Sequence, residues 1–381
     1  MTTRSLTDLR QSLDDIDKVI LNALAERARL ARDLTEVKAR DASPLRDDDR
    51  EAALLRHRSL FGERLGLDPA FVRRIYREIL EDSVRRQHQW RQAADGEARP
   101  LAVGFQGTEG AFGHQAACQH FAVSHRPVTL KAYRSFRETA EAVQEGHVER
   151  AVLPIENSTA GSVHEVYDLL FRMNLSIVGE EVLEVHHCLL GVPGATIDGL
   201  RRIHSHPQAL AQCSEYLAEL RQADTELAAN TALAAARVAE LADPAQGAIA
   251  SDEAAARFGL DVLRRGIANQ PVNLTRFVVV AAAPEACDPL VAAKVSLVFG
   301  TRHDRGALVR CLNVLADEGI NLSKLESRPR PGVPWEYVFY VDLDGHAAEP
   351  RLEAALARLA ATTQFVRVLG CYPVCPRQPP L

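Results

Sequence analysis

One face of the N-terminal helical pattern carries a cation where an apolar residue is expected. Heptad spacing from residue 6 to residue 37 produces an apolar seam in which Arg27 is the one charged residue. A buried guanidinium without a partner is very unfavourable, so Arg27 must meet an internal carboxylate or an anionic ligand. Lys38 follows eleven residues later, about three helical turns, and therefore projects near the same face. The spacing predicts a pocket for a small anion.

Arg10 lies too far along the same helix to reach that pocket within one chain. It precedes Lys38 by 28 residues, or about 42 Å at helical rise. The run from Arg4 to Ala42 lacks Gly and Pro and predicts one helix of about 57 Å, which would overhang a compact domain of about 90 residues. We therefore expect two copies to pair antiparallel, so that a second copy supplies Arg10.

Two further segments contribute polar groups to this domain. In the helix that starts at Asp68-Pro69 and extends to about Trp90, apolar residues at four-residue steps give way to Ser83 and Gln87, which need polar partners. The run Asp47-Asp48-Asp49-Arg50-Glu51 begins a short helix, where the acids either complement the helix dipole or belong to the site.

These residues stand in the order and spacing of the all-helical chorismate mutases, which the segment from Leu6 to Gln87 resembles throughout. The matching positions are Arg10, Arg27, Lys38, Asp47, Arg50, Glu51, Ser83 and Gln87. The resemblance implies a domain-swapped dimer with two active sites that rearrange chorismate to prephenate. That pericyclic step needs no bond to the enzyme, so cations and neutral donors that hold the reactive conformer suffice.

The resemblance also implies what individual side chains do. An arginine fork binds a carboxylate with two hydrogen bonds, which suits a dicarboxylate substrate. The implied contacts are carboxylate binding by Arg10, Arg27 and Arg50, donation to the breaking ether oxygen by Lys38 and Gln87, and a bond to the substrate hydroxyl by Glu51.

Four loops between residues 100 and 283 concentrate small hydroxyl and amide side chains. They contain PIENSTAGSV (154–163), HSHPQAL (204–210), NTA (230–232) and NLTRF (273–277). Taken singly, each loop has a structural explanation as a hydroxyl turn, a helix N-cap or the start of a strand. The segment 103–110 is only superficially like a dinucleotide loop, since Phe105 stands where that fingerprint needs Gly.

The histidines of this segment do not predict a metal site. His204 and His206 have no Cys or acidic partner at a ligand-like spacing. For His186 and His187, which precede Cys188, ordinary packing in a strand is the expectation.

Together the four loops closely resemble prephenate dehydratase, over residues 101 to 280. The PIENS-x-x-G, HSHPQAL and TRF motifs are all present. The resemblance implies that prephenate loses CO2 and its ring hydroxyl to give phenylpyruvate, a step driven by aromatisation. One departure is Gly113, where relatives usually have Ser or Thr, so a hydroxyl contact at that position is absent from this sequence.

The dehydration requires help for the leaving ring hydroxyl and an anchor for the side-chain carboxylate. Thr275 is the expected partner of the leaving hydroxyl, which it would polarise because a threonine is too weak an acid to donate its proton outright. The other expected contributions are a carboxylate contact from Arg276, ring packing from Phe277, neutral donors from Asn157, Ser158 and Thr159, and loop orientation or a proton from Glu156.

The C-terminal segment contains no nucleophile, base pair or metal cluster that stands out. It resembles an amino-acid-binding ACT domain through two motifs, Gly306-Ala307-Leu308-Val309 and Glu326-Ser327-Arg328-Pro329. The resemblance implies feedback inhibition by phenylalanine, with Gly306 allowing close approach of backbone to ligand. The alternative is a stable domain that merely dimerises.

The order of elements predicts a multidomain chain. Residues 1–92 are expected to form an all-α chorismate mutase domain, and residues 100–283 an α/β two-lobed dehydratase domain. Residues 291–375 show the order βαββαβ of a ferredoxin-like α+β unit, the expected ACT domain.

Composition excludes several classes of protein. The 381 residues carry a formal net charge of −6, so nothing favours binding to nucleic acid or to anionic membranes. No apolar run is long enough for a membrane span or a secretory signal, and seven scattered cysteines favour reduced thiols and a cytoplasmic location. No cofactor or metal is expected. Arogenate dehydratase activity and a non-catalytic amino-acid sensor remain as alternatives.

Overall fold

The computed structural model describes residues 6–40, 48–77, 79–80, 83, 100–122, 124, 126–289, 291–302 and 304–375. The chain forms two compact units, one of residues 1–99 with 125–127 and one of residues 100–124 with 128–381. In the described part, no helix is both long enough and apolar enough to cross a membrane.

The N-terminal unit is helical. Helix α1 (Leu6–Arg40) runs uninterrupted for 35 residues, which confirms the long helix predicted from the missing Gly and Pro. Helix α2 (Asp48–Arg64) follows, and the described residues 69–77, 79–80 and 83 belong to helix α3. Asp68 caps α3 by accepting a hydrogen bond from the backbone N–H of Ala70 at 3.0 Å, as the Asp-Pro pair predicts. The expected continuation of α3 to Trp90 lies outside the described residues.

Most of the apolar seam of α1 is exposed among the described residues of this unit. Leu13, Ile16 and Ile20 are 62%, 56% and 51% exposed, whereas Ala31 is buried. A row of large apolar side chains on one helix face gains free energy only when another surface covers it.

The second unit begins with an α/β lobe. Its strands are β1 (Leu101–Gln106), β2 (Val128–Tyr133), β3 (Arg150–Asn157), β4 (Gly161–Ser162) and β5 (Ser176–Glu184), and its helices are α4 (Phe112–Phe121), α5 (Phe136–Gln144) and α6 (His164–Arg172). Strand β1 pairs in parallel with both β2 and β3, as the short apolar runs separated by helices predict.

A second lobe follows directly. Its strands are β6 (Cys188–Gly191), β7 (Arg202–Ser205), β8 (Asp224–Leu227), β9 (Gln246–Ala250) and β10 (Asp261–Arg265); its helices are a 3-10 turn (Ile197–Gly199), α7 (Pro207–Gln212), α8 (Ser214–Glu219), α9 (Thr231–Leu241) and α10 (Asp252–Phe258). The sheet order is β10-β6-β9-β7-β8.

The chain then returns to the first lobe. Strand β11 (Leu274–Ala281) inserts antiparallel between β3 and β5, giving the order β2-β1-β3-β11-β5. Strand β11 follows the second lobe in sequence but lies inside the sheet of the first lobe. The chain therefore passes between the two lobes twice. This arrangement agrees with the predicted two-lobed α/β architecture.

The remaining elements form a four-stranded antiparallel sheet with two helices. They are β12 (Ala293–Gly300), α11 (Ala307–Asp317), β13 (Leu322–Pro329), β14 (Tyr337–Asp344), α12 (Pro350–Thr362) and β15 (Phe365–Pro373). The sheet order β13-β14-β12-β15 is that of a ferredoxin-like βαββαβ unit.

This C-terminal sheet packs against the first lobe. Tyr340 and Tyr372 belong to the same buried cluster as Leu170 and Ile177 of the first lobe. The hydroxyl of Tyr340 donates to the backbone oxygen of Tyr167 at 2.8 Å. Gly370 of β15 lies so close to β5 that a Cβ there would overlap the carbonyl oxygen of Ile177.

Replacing Gly370 with Ala should therefore destabilise the second unit. The methyl group meets backbone rather than a movable side chain, and overpacking of this kind costs about 1–3 kcal/mol or more in the free energy of unfolding. Chemical denaturation followed by tyrosine fluorescence measures the change. Gly199→Ala is the control, because its Cβ meets only the Thr196 hydroxyl, at 3.0 Å. Equal stability of both variants and the parent would contradict the close approach.

Candidate active sites

In the helical unit, Arg27 meets a polar residue of α3. Its guanidinium donates to the hydroxyl of Ser83 and, at 3.3 Å, to the backbone oxygen of Ile79. Ser83 is buried and in turn donates to the oxygen of Ile79 at 2.8 Å. Arg27 of the seam and Ser83 of the interrupted apolar row, predicted separately from periodicity, therefore lie side by side.

The structure describes the other residues expected in this site only in part. Arg10 and Arg50 are exposed on α1 and α2, and Glu51 is half-buried. Lys38 lies in α1, but its side chain is outside the described part of the structure. Asp47 and Gln87 lie outside the described residues altogether. The described geometry thus brings two of the eight expected residues into contact.

The second unit contains a cavity of about 300 Å³ between its two lobes. The first lobe contributes Phe112, Pro154 and Asn157, and the second lobe contributes His206 and Gln208. His206 caps α7 by accepting from the N–H of Gln208 at 3.3 Å, so this motif has the predicted capping geometry and also faces the cavity. Among the lining residues that the structure describes, the titratable ones are His187 and His206.

Strand β11 presents alternate side chains to opposite sides. Thr275 and Phe277 line the cavity and are 8% and 2% exposed. Arg276, between them, is absent from the described lining and points to the other face, because successive side chains of a strand alternate. Two residues of the TRF motif therefore line the cavity, and the third, Arg276, lies on the opposite face of the strand.

Asn157 fixes the direction of the hydrogen bonds around Thr275. Its Oδ1 accepts from the backbone N–H groups of Thr159 at 3.1 Å and Ala160 at 2.9 Å, which can only donate. Its Nδ2 must therefore be the atom that donates to the hydroxyl oxygen of Thr275 at 2.8 Å and to Asn273 at 2.7 Å. With its oxygen satisfied in this way, Thr275 keeps its hydroxyl proton for the cavity.

The environment of Arg276 is a buried ion cluster. Its guanidinium lies 2.6 Å from Asp342 of β14, 3.3 Å from Glu180 and 3.4 Å from Glu156. Burial by itself would lower the pKa of Arg276, but the charge and hydrogen bond of Asp342 together with the charges of its other neighbours, Glu180 among them, outweigh burial and raise it. The side chain is 13% exposed. This geometry favours a structural cation over the substrate-carboxylate contact expected from sequence.

Glu156 belongs to the same cluster and not to the cavity lining. It accepts from Lys324 of β13 at 2.8 Å and lies beside Arg276. Of the two roles expected for Glu156, orientation of its loop fits this position. Ser158 accepts from the N–H of Leu274 at 2.9 Å, and Thr159 donates to Asn157 at 2.7 Å, so both hydroxyls hold the loop to its neighbours.

Two residues of this site were not recognised from sequence. Gln212, at the end of α7, donates to Thr159 at 2.6 Å and to Asn157 at 3.3 Å. His187 contacts Gln212 at 2.8 Å and lines the cavity, where sequence favoured plain packing. Gln212 lies just beyond the HSHPQAL motif, two residues after its last letter, which was the available signal.

The backbone explains the glycine at position 113. Gly113 lines the cavity, and a Cβ there would lie 3.1 Å from the carbonyl oxygen of Gln106. That approach is tighter than an ordinary van der Waals contact. A Ser or Thr at this position would require the Gln106 carbonyl or the start of α4 to move by a few tenths of an ångström.

The C-terminal motifs are separated within one chain. Residues 306–309 line a cavity of about 300 Å³, together with Arg302, Asp304 and Glu336. Gly306 has a φ of 74° at the start of α11, a conformation that favours glycine. Glu326 instead lies 2.6 Å from Ser162, and Arg328 lies 3.1 Å from Asp168, both in the first lobe. Ser327 and Pro329 lie exposed on β13.

One group of side chains in the described residues has the composition of a metal site. Ligand-type atoms of Cys287, His346 and Cys371 lie within 4.8 Å of one another. The thiol of Cys287 donates to Cys371, which lowers the pKa of Cys371 to about 6. Both ring nitrogens of His346 already have partners, however: the N–H of Ala348 at 3.0 Å and the oxygen of Cys287 at 3.1 Å. A metal ion would have to displace one of these bonds.

Comparison with known proteins defines the class of each part. Residues 9–88 match the family of type II chorismate mutases, and residues 103–285 match prephenate dehydratase. An isomerase domain and a lyase domain therefore occur in one chain.

The bifunctional chorismate mutase/prephenate dehydratase of Enterobacter agglomerans is 36% identical over 380 residues, covering 98% of each chain. The chain belongs to this bifunctional family. A prephenate dehydratase from Arthrobacter aurescens, solved with L-Phe, is 32% identical with a TM-score of 0.65, covering 74% of this chain and 92% of that one. GqqA, described as a quorum-quenching acylase, is 36% identical with a TM-score of 0.65, covering 72% and 98%.

The direction of the Asn157 hydrogen bonds can be tested by Asn157→Asp. A carboxylate only accepts, so Thr275 would donate to it and lose its proton for the cavity. We expect dehydratase kcat to fall by about 100-fold or more, in line with loss of one oriented donor. Steady-state assay with prephenate measures this, and chorismate turnover by the same preparation is the internal control. More than a tenth of the parent rate would contradict the assignment.

Proposed function

We propose that this chain converts chorismate to prephenate in the helical unit and prephenate to phenylpyruvate in the cavity between the lobes. One observation carries the second assignment: Thr275 accepts from Asn157 at 2.8 Å and so offers its own proton to the cavity. Membership of the bifunctional family supports both reactions.

In the dehydratase step, Thr275 would polarise the ring hydroxyl of prephenate. The bond to the ring carboxylate breaks, its electron pair enters the ring, and CO2 leaves. The bond from the ring to the hydroxyl oxygen breaks at the same time, and that oxygen takes one proton, supplied overall by the solvent, and leaves as water. Phe277 would pack against the ring that becomes aromatic, because it lies buried beside Thr275 in the lining.

Neutral donors would anchor the substrate carboxylates. Asn230 uses its Oδ1 to cap α9, accepting from Leu233 at 2.8 Å, so its Nδ2 remains available to the cavity that it lines. Thr231, the first residue of α9, lies beside it, where unpaired backbone N–H groups favour an anion.

In the mutase step, the chain would act as a dimer with a second copy covering α1. The exposed seam of α1 supports this, because a row of large apolar side chains would otherwise face water. Arg27, beside Ser83, would bind one substrate carboxylate, with Arg50 of the same chain and Arg10 of the second copy as further carboxylate ligands. Lys38 and Gln87 would donate to the ether oxygen, Glu51 would hold the substrate hydroxyl, and Asp47 would support the start of α2.

The C-terminal sheet and its two helices, residues 291–375, form the part of the second unit that we call the C-terminal unit. It would act as an ACT domain that binds phenylalanine. Its cavity at residues 306–309 combines apolar surface with Arg302, Asp304 and Glu336, which suits an amino-acid zwitterion. The Arthrobacter aurescens relative was solved with L-Phe. The ion pair between Asp342 and Arg276 links this unit directly to the strand that carries Thr275, so effector binding has a physical route to the site. We propose a cytoplasmic location for the enzyme.

The two active sites can be tested independently. Thr275→Ala should lower dehydratase kcat by about 100-fold or more and leave the mutase rate unchanged, because the groups lie in separate units. Lys38→Ala should lower the mutase rate by about 100-fold or more and leave dehydratase kcat unchanged. Separate assays with chorismate and with prephenate measure both rates for both variants. Thr275→Ser is the matched control that keeps a hydroxyl, and parental turnover by Thr275→Ala would refute the role given to Thr275.

Phenylalanine should bind the C-terminal unit and inhibit the dehydratase reaction. Isothermal titration measures binding, and the prephenate assay measures inhibition at millimolar phenylalanine. Leu308→Asp should weaken both, because a charge replaces apolar lining of the cavity. Absence of binding and of any change in rate would contradict this assignment while leaving the two catalytic assignments intact.

A further inference from the structure

His187 occupies an unusual position for a packing residue. Its side chain is almost fully buried, with 2% of the residue exposed, yet it lines the cavity. The ring contacts Phe112 edge-on, with centroids 5.8 Å apart. One ring nitrogen, Nε2, lies 2.8 Å from Gln212 Oε1, and the other, Nδ1, is buried without a hydrogen-bond partner in the described residues.

The direction of the bond between His187 and Gln212 follows from its surroundings. Asn157 Oδ1 is an acceptor, because backbone N–H groups bond to it. The Gln212 atom that faces it, at 3.3 Å, must therefore be the donor Nε2, which also bonds to Thr159 at 2.6 Å. Gln212 Oε1 then faces His187 and accepts from Asn273 Nδ2 at 3.2 Å.

A carbonyl oxygen only accepts, so His187 must donate to it. The imidazole proton therefore lies on Nε2, and Nδ1 is the unprotonated nitrogen. Burial lowers the pKa of His187, although the bond to Gln212 partly opposes this, so the ring is held neutral. The backbone N–H groups of the PIENS loop thus dictate a tautomer in the other lobe.

We propose that His187 is a positioning residue of the dehydratase site: its Nε2–H orients Gln212, which in turn holds the Thr159 and Asn157 side chains that direct Thr275. This inference rests on the proposed role of Thr275. His187 and Gln212 belong to the second lobe, whereas Asn157 and Thr275 belong to the first. The hydrogen-bond chain therefore also sets how the second lobe meets the reacting hydroxyl.

Two substitutions of His187 distinguish positioning from packing, because the two roles predict opposite orders of activity for the variants. Leu fills the buried volume but cannot donate, whereas Gln carries an amide nitrogen near the place of Nε2. If His187 positions Gln212, His187→Leu should lower dehydratase kcat by about 10-fold or more. His187→Gln should stay within about 3-fold of the parent, and KM for prephenate should change little in either variant. If His187 only packs, Leu should be tolerated and Gln should not.

The neighbouring histidine provides the matched control. His186 is exposed and lies 3.6 Å from Glu184, away from the described lining. His186→Leu should leave the prephenate reaction unchanged, and thermal melting confirms that every variant is folded. Parental kcat in His187→Leu, or a loss in His187→Gln as large as that in His187→Leu, would overturn the proposal.

A double-substitution cycle separates this inference from the role of Thr275. If His187 acts through Thr275, His187→Leu should cost little further activity in a Thr275→Ala background. Full additivity would show that His187 does not act through Thr275. Parental turnover by Thr275→Ala alone would instead refute the proposed function, whatever the histidine variants do.

Discussion

The buried charge of Arg276 constrains how the first lobe and the C-terminal sheet of the second unit can pack. The guanidinium sits among Asp342, Glu180 and Glu156, while Lys294 and Lys324 pair with the two glutamates at 2.8 Å each. Lys324 also lies 3.8 Å from Glu326, so four carboxylates pair with three cations among the described residues of the cluster. Removing one member would leave a buried charge without its partner, which typically costs about 3–5 kcal/mol. The cluster ties β11 of the first lobe to the C-terminal sheet.

The position of Arg276 also determines which side of β11 its sequence neighbours Thr275 and Phe277 occupy. Because strand side chains alternate, anchoring Arg276 on one side of β11 turns Thr275 and Phe277 to the other side, where the cavity lies. The ionic groups are thereby kept together on the side of β11 away from the cavity. The cavity is left with amides, hydroxyls, two histidines and apolar surface, so its donors must be oriented by hydrogen bonding and not by charge.

The cluster also connects the C-terminal sheet directly to the strand that lines the cavity. Asp342 accepts from Ser296 at 2.5 Å, and Ser296 shares a 2.6 Å bond with Tyr372, so the ion pair continues into the core of the C-terminal unit. Burial raises the pKa of the Tyr372 phenol, which therefore stays protonated. A small shift of β14 relative to β11 would have to rearrange these buried bonds, which favours discrete states over gradual deformation.

Apolar periodicity, the positions of Gly and Pro, and motifs predicted much of the fold and the family from sequence alone. The long α1, the cap at Asp68, the two-lobed α/β segment and the βαββαβ order follow from local rules about Gly, Pro and apolar spacing. Arg27 and Ser83 were each identified as polar residues in need of a partner. The family also followed from sequence, because its motifs combine residue types that local structure does not require together.

Only the tertiary structure decided which side of a strand each motif residue occupies and which partner it meets. Arg276 lies one residue from Thr275, yet its partner Asp342 is 66 residues away along the chain. His187 and Gln212 likewise approach Asn157 from the other lobe. Sequence gives the chemistry of a side chain, but a hydrogen bond or ion pair depends on distances of a few ångströms between segments remote in the chain. Long-range packing sets those distances.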